Sequence, residues 1–104
     1  MDVYRSLGVE FDLALDTQQA LDKLGKKSYD LIISDVGRYA EHDAGIKMIH
    51  EIKMKFADLS PIIIYSGDSA IQKYGKNALD EGASLATASA RDLVLKMNEI
   101  LKLE

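Results

Sequence analysis

Apolar residues in this chain gather in two short runs, and between them they follow a helical rhythm. Leu31-Ile32-Ile33 closes on Ser34-Asp35, with Gly37 in the loop beyond, and Ile62-Ile63-Ile64-Tyr65 closes on Ser66-Gly67. Runs this short and this apolar predict strands buried on both faces, as in a parallel sheet covered by helices. The single proline, Pro61, opens the second run, where a missing donor is tolerated. The strands are expected over Asp30–Asp35 and Pro61–Ser66. Phe11-Asp12-Leu13-Ala14-Leu15 alternates and predicts a further, half-exposed strand, and Ala83 to Thr87 a weak last one.

Helices are expected between the strands. Asp2 to Leu7 reads as a short helix ended by Gly8. Asp16 with Gln19 makes a capping box for a helix carrying Ala20, Leu21 and Leu24, ended by Gly25. Ile46, Ile49, Ile52, Lys53 and Phe56 share a helix side, with the Lys53 stem at its boundary and Met48 and Met54 as packing or boundary residues. Asp68 or Ser69 caps a helix presenting Ile71, Tyr74, Ala78 and Leu79, and Gly82 ends it. Ser89 with Asp92 caps the last helix, whose stripe is Leu93, Val94, Met97, Ile100 and Leu101. Strand and helix thus alternate four times after a stub of helix. That predicts one α/β domain over residues 1–104, with a parallel sheet and right-handed crossovers.

Composition narrows the function classes. The net charge of −4 argues against a sequence-independent grip on nucleic acid or on an anionic membrane. No apolar stretch approaches membrane-spanning length and no signal-peptide pattern opens the chain, so a cytoplasmic protein is expected. There are no cysteines, which excludes disulfides and thiolate chemistry.

The candidate chemistry sits where the strands end. Ligands of open parallel sheets collect outside the carboxyl ends of the strands, and Asp35 and Ser66 both fall at such an end. A carboxylate there either serves a site or caps the following loop by accepting from backbone N–H groups, and a strand-end hydroxyl has the same two uses. Glu41, His42 and Asp43 lie in the polar loop to Gly45, but no second histidine stands at ligand spacing, so a solvated loop is expected there.

The order of these signals resembles the receiver domain of bacterial two-component response regulators. The matching pieces are Ala20-Leu21-Asp22-Lys23-Leu24, Tyr29-Asp30-Leu31-Ile32-Ile33-Ser34-Asp35-Val36, Pro61-Ile62-Ile63-Ile64-Tyr65-Ser66-Gly67 and Ala78-Leu79-Asp80-Glu81-Gly82-Ala83. The resemblance implies a flavodoxin-like parallel sheet flanked by helices. It implies that Asp35 stands at the phosphoacceptor position, that the Ser66 hydroxyl stands where a phosphoryl contact is made, and that Gly37 stands where a carbonyl binds Mg²⁺. It also implies a phosphorelay role, with a histidine kinase or a downstream signalling protein as partner.

The departures from the family pattern qualify that expectation. The family's first strand and the acidic pair that holds Mg²⁺ have no counterpart, so an N-terminally shortened sheet of about four strands is expected. Thr87-Ala88-Ser89-Ala90 stands where the family has a lysine followed by proline. Arg38 could take over the lysine's charge, and Thr87 is a further accessory candidate. Phosphoryl transfer depends on positioning and on neutralising charge. Asp35 with the Gly37 carbonyl makes a poor Mg²⁺ site, so weak metal binding and impaired phosphorylation are expected, in a pseudo-receiver that acts by docking partners and is not an enzyme. The alternative is a small phosphohydrolase-like α/β enzyme with Asp35 as nucleophile, although Gly37 stands where the haloacid-dehalogenase-like pattern has its second Asp. A sheet lacking its central strand leaves either Phe11–Leu15 closed directly onto Asp30–Asp35 or a second copy over the gap; self-association is the favoured expectation.

Overall fold

A computed structural model describes residues 9–10, 12–37, 44–56 and 60–102. Seven elements follow one another: α1 (Thr17–Lys26), β1 (Ile32–Ser34), α2 (Ala44–Lys55), β2 (Ile62–Tyr65), α3 (Asp68–Glu81), β3 (Leu85–Thr87) and α4 (Ala90–Leu101). The three strands form one parallel sheet in the order β1-β2-β3. Ile33 pairs with Ile63, and Ile63 with Leu85. The expected α/β class with helix-covered parallel strands is therefore present, and the two apolar runs are its first two strands. All three strands are shorter than their sequence patterns suggested.

Two hydrophobic clusters hold the layers together. The larger joins Leu21, Val36, Met48, Ile49, Ile52, Ile62, Ile64, Ala78 and Ala83, covering one sheet face with α1, α2 and α3. The smaller centres on Ile63 and Met97, with Val9, Leu31, Leu85, Leu93 and Ile100 against them, and seats α4 on the other face. The alternation along β2 explains the division: Ile62 and Ile64 point to one face and Ile63 to the other. Each of the three is almost fully buried, and full burial of an isoleucine is worth roughly 1.5–3 kcal/mol.

Several local expectations hold. The Asp16 carboxylate accepts from the Gln19 N–H at 2.8 Å, and the Gln19 side chain accepts in turn from the Leu15 N–H at 3.0 Å. Ser89 caps α4, accepting from the Asp92 N–H at 3.2 Å. Gly82 ends α3 at φ 113°, a left-handed conformation that costs glycine little, with its N–H on the carbonyls of Ala78 and Leu79.

Others are corrected. Residues 12–16 form no strand, Phe11 lies outside the described residues, and the described sheet has three strands rather than four. Side chains capture this segment before a ladder can. Tyr29 donates to the Asp12 carboxylate at 2.6 Å, Lys27 reaches it at 3.3 Å, and Lys23 donates to the Leu13 carbonyl at 2.6 Å. Helix α1 runs through Gly25 to Lys26, because the Lys27 N–H still bonds the Lys23 carbonyl at 3.1 Å. Helix α3 is capped by Gly67 without a side-chain bond, and Asp68 lies inside its first turn, where its charge suits the helix dipole. Leu79 and Val94 are exposed rather than core, whereas Met48 is buried and Met54 exposed. The expected Asp2–Leu7 helix lies outside the described residues.

Candidate functional site

The site is built from strand ends. Parallel pairing with registered ladders sets three chain segments side by side, about 4.8 Å apart. Ser34 pairs with Ile64 and Tyr65 with Thr87, so Asp35 follows β1 level with Tyr65, and Ser66 follows β2 one step further along. Thr87 closes β3. The carboxylate, the two hydroxyls and the Tyr65 ring thus share the carboxyl end of the sheet, where the crossover helices α2 and α3 and the final helix α4 depart.

Each residue is held differently. Asp35 is exposed, between a buried Ser34 and a fully buried Val36. The Ser34 hydroxyl donates to the Asp35 carbonyl at 2.9 Å, which fixes the peptide carrying the carboxylate. Helix α2 presses on the same peptide. The Gly45 N–H donates to the Val36 carbonyl at 2.6 Å, and a Cβ at Gly45 would run into the Asp35 carbonyl oxygen. Gly45 is therefore a positioning residue that sequence reasoning treated only as the end of a loop. A glycine at the start of a helix, just after an acid-ended strand, was the available signal.

Ser66 is half-buried, and its N–H donates to the Thr87 carbonyl at 3.2 Å. Thr87 is buried and its hydroxyl accepts from the Ser89 N–H at 3.0 Å, so it shapes the turn into α4. Gly37 lies two residues beyond Asp35 and is half-buried. Arg38, Glu41, His42 and Asp43 lie outside the described residues.

A divalent metal finds few donors among the described residues. Among the described residues, no group of three or more His, Asp or Glu side chains is placed to hold an ion. The Asp35 carboxylate and the Gly37 carbonyl offer two kinds of oxygen, while Mg²⁺ demands an octahedral shell and usually draws on carboxylates plus substrate phosphate oxygens. The described residues do not fit a protein-built Mg²⁺ site.

Known structures share this arrangement of elements. The receiver domain of NtrX from Brucella abortus superposes with a TM-score of 0.76 at 23% identity, over 99% of this chain and 87% of that one. The fold is that of a receiver domain. A two-component response regulator from Clostridium difficile matches with a TM-score of 0.71 at 23% identity, over 95% of this chain and 80% of that one. The receiver domain of the Francisella response regulator 1452 matches with a TM-score of 0.74 at 19% identity, over 97% and 83% of the two chains. No protein-family model matches the chain, and no curated protein is significantly similar to it. Within the receiver fold, Asp35 and Ser66 occupy the ends of adjacent strands, as their sequence pattern suggested. No helix among the described residues is long and apolar enough to cross a membrane.

Proposed function

We propose that this chain is a signal-transduction domain of the response regulator type, which works by docking a protein partner and in which Asp35 holds the phosphoacceptor position. The observation that carries this reading is the placement of an exposed Asp35 at the end of β1, beside Ser66 at the end of β2, within a receiver fold. The likeness to receiver domains and to a two-component response regulator supports it.

Phosphorylation of Asp35 is impaired on this reading. A carboxylate oxygen that attacks a phosphoryl donor needs the incoming charge neutralised. The described residues at the sheet end bring hydroxyls, a phenol ring and backbone N–H groups, and no lysine follows β3. Ser66 and Thr87 can donate to a phosphoryl oxygen, but neutral donors do not replace a metal and an ammonium. In this account the chain acts by docking and not as an enzyme.

Incubation with acetyl phosphate and Mg²⁺, read by intact mass, tests the proposal. Little or no phosphoryl adduct is expected. A substantial adduct lost in Asp35→Asn would confirm the position and overturn the impairment. An adduct that survives Asp35→Asn would overturn the assignment of Asp35.

A further inference from the structure

The segment 12–16, helix α1 and the turn to Tyr29 are tied together by their own side chains. Gln19 accepts from the Leu15 N–H, Lys23 donates to the Leu13 carbonyl, and Lys27 and Tyr29 hold the Asp12 carboxylate. Each of these bonds joins residues no more than 17 apart in sequence. The Ser60 hydroxyl donates to the Tyr29 carbonyl and anchors the chain where it enters β1.

The purchase of this unit on the rest of the domain is thin. Leu21 is the one buried residue of α1, with Ala20 and Leu24 partly buried against the same cluster, whereas α2 buries five residues. A groove of about 170 Å³ runs between α1 and β1, and one of about 430 Å³ between α1 and α2. Met48 is a wall of both, so the contact under α1 is a narrow strip between two grooves. Leu13 and Leu15 are 74% and 68% exposed and add little to it. Regions with so little buried apolar contact open well before the domain unfolds.

We infer that residues 12–27 form a flap that lifts off α2 and β1 as one unit while the three strands stay paired, and that its opening uncovers Met48. The inference stands whether or not Asp35 accepts a phosphoryl group. Contiguous ties within the flap and a thin contact beneath it place the weakest boundary around the unit, not through it. A helix of the ten residues of α1 is marginal alone in water, so α1 melts once it is off its support. Met48 lies one turn along α2 from Gly45, whose N–H holds the Val36 carbonyl beside the Asp35 peptide. Flap and candidate site therefore lean on the same end of α2.

Thiol labelling tests this. The chain has no cysteine, so Met48→Cys supplies a single thiol whose alkylation by iodoacetamide reports the uncovered state. Ala78→Cys on α3 is the control; Met48 is 2% exposed and Ala78 0%. Under native conditions, labelling at position 48 should run at least about tenfold faster than at position 78. Adding Leu21→Ala removes the strip and should speed labelling at position 48 by about tenfold or more, with the control rate unchanged. Equal rates at the two positions, or a Leu21→Ala effect of the same size at both, would mean that α1 opens only with the whole domain and would overturn the inference. Should Met48→Cys fail to fold, hydrogen exchange of the unaltered chain decides. Protection of the α1 amides from Leu21 to Lys26 should be at least about tenfold below that of the β2 amides, and uniform along the helix. Protection equal to that of β2 would sink the flap.

Discussion

Strands β1 and β2 are written in nearly the same letters and live in different surroundings. Each is an isoleucine run that ends near a hydroxyl and a glycine, and each delivers a candidate site residue to the same end of the sheet. Yet β2 has a strand on both sides and helices on both faces, and its three isoleucines are almost fully buried. Strand β1 has a neighbour on one side only among the described residues, and Ile33 lies partly open to solvent beside a groove. Residue type therefore set the strand, while the neighbour count set the burial. The central strand supplies stability, and β1, with a described neighbour on one side, carries the exposed carboxylate.

The largest test compares two isoleucines in one ladder row. Ile63→Ala empties the cluster around Met97 and should cost about 2–5 kcal/mol. Ile33→Ala should cost no more than about half as much, since part of that side chain already meets water. Urea unfolding gives both numbers. Equal losses would mean that β1 is as enclosed as β2.

A backbone contact provides the next test. Gly45→Ala drives a methyl group at the Asp35 carbonyl and should cost about 1–3 kcal/mol. Amide shifts should spread over Asp35 and Val36 while the β2–β3 ladder stays still. Unmoved shifts at Asp35 would show that α2 does not set the carboxylate's position.

Two helix caps flank the comparison. Ser89→Ala and Asp16→Ala each remove a bond to an N-terminal helix N–H, worth about 1 kcal/mol. The loss at Ser89 should lower global stability, because α4 is packed against the central strand. The loss at Asp16 should appear first as faster exchange in α1 and residues 12–16, which border the open groove. A uniform loss in both variants would erase that difference.

The smallest effect is pH dependence of the segment 12–16. The Tyr29 hydroxyl, and then Lys27, hold the Asp12 carboxyl below its usual value, and the same bond raises the Tyr29 phenol. Asp12 binds protons more weakly folded than unfolded, so its contribution is complete above about pH 4 and fades below it. Tyr29 holds its proton more firmly when folded, so its contribution persists below about pH 10 and fades above it. Protection of the amides near Leu13, relative to their intrinsic exchange at each pH, should fall at both extremes in wild type, and the alkaline fall should vanish in Tyr29→Phe. Because both groups are exposed, global stability should change little.

Much of this protein was legible from its residues. Two short, uniformly apolar runs predict strands under helices, and stretches with apolar residues three and four apart between them predict the covering helices. Parallel connection follows from that alternation, and so does the carboxyl-end placement of Asp35 and Ser66. Capping residues with short-range partners, Asp16 with Gln19 and Ser89 with Asp92, were equally readable, because both partners lie within one helical turn. What the chain could not announce was set by contacts between distant segments. The alternating residues 11–15 have the letters of a strand, but Tyr29 and Lys27 take Asp12 and Lys23 takes the Leu13 carbonyl, and those partners arrive only when α1 folds back. Gly45 looked like loop punctuation until α2 packed against the Asp35 peptide and left no room for a side chain. Leu79 has the spacing of a core residue and is exposed, because none of the described elements covers that side of α3. Ile33 and Ile63 are the same residue in the same kind of run, and only the strand order decides that one is sealed and the other waits at an edge.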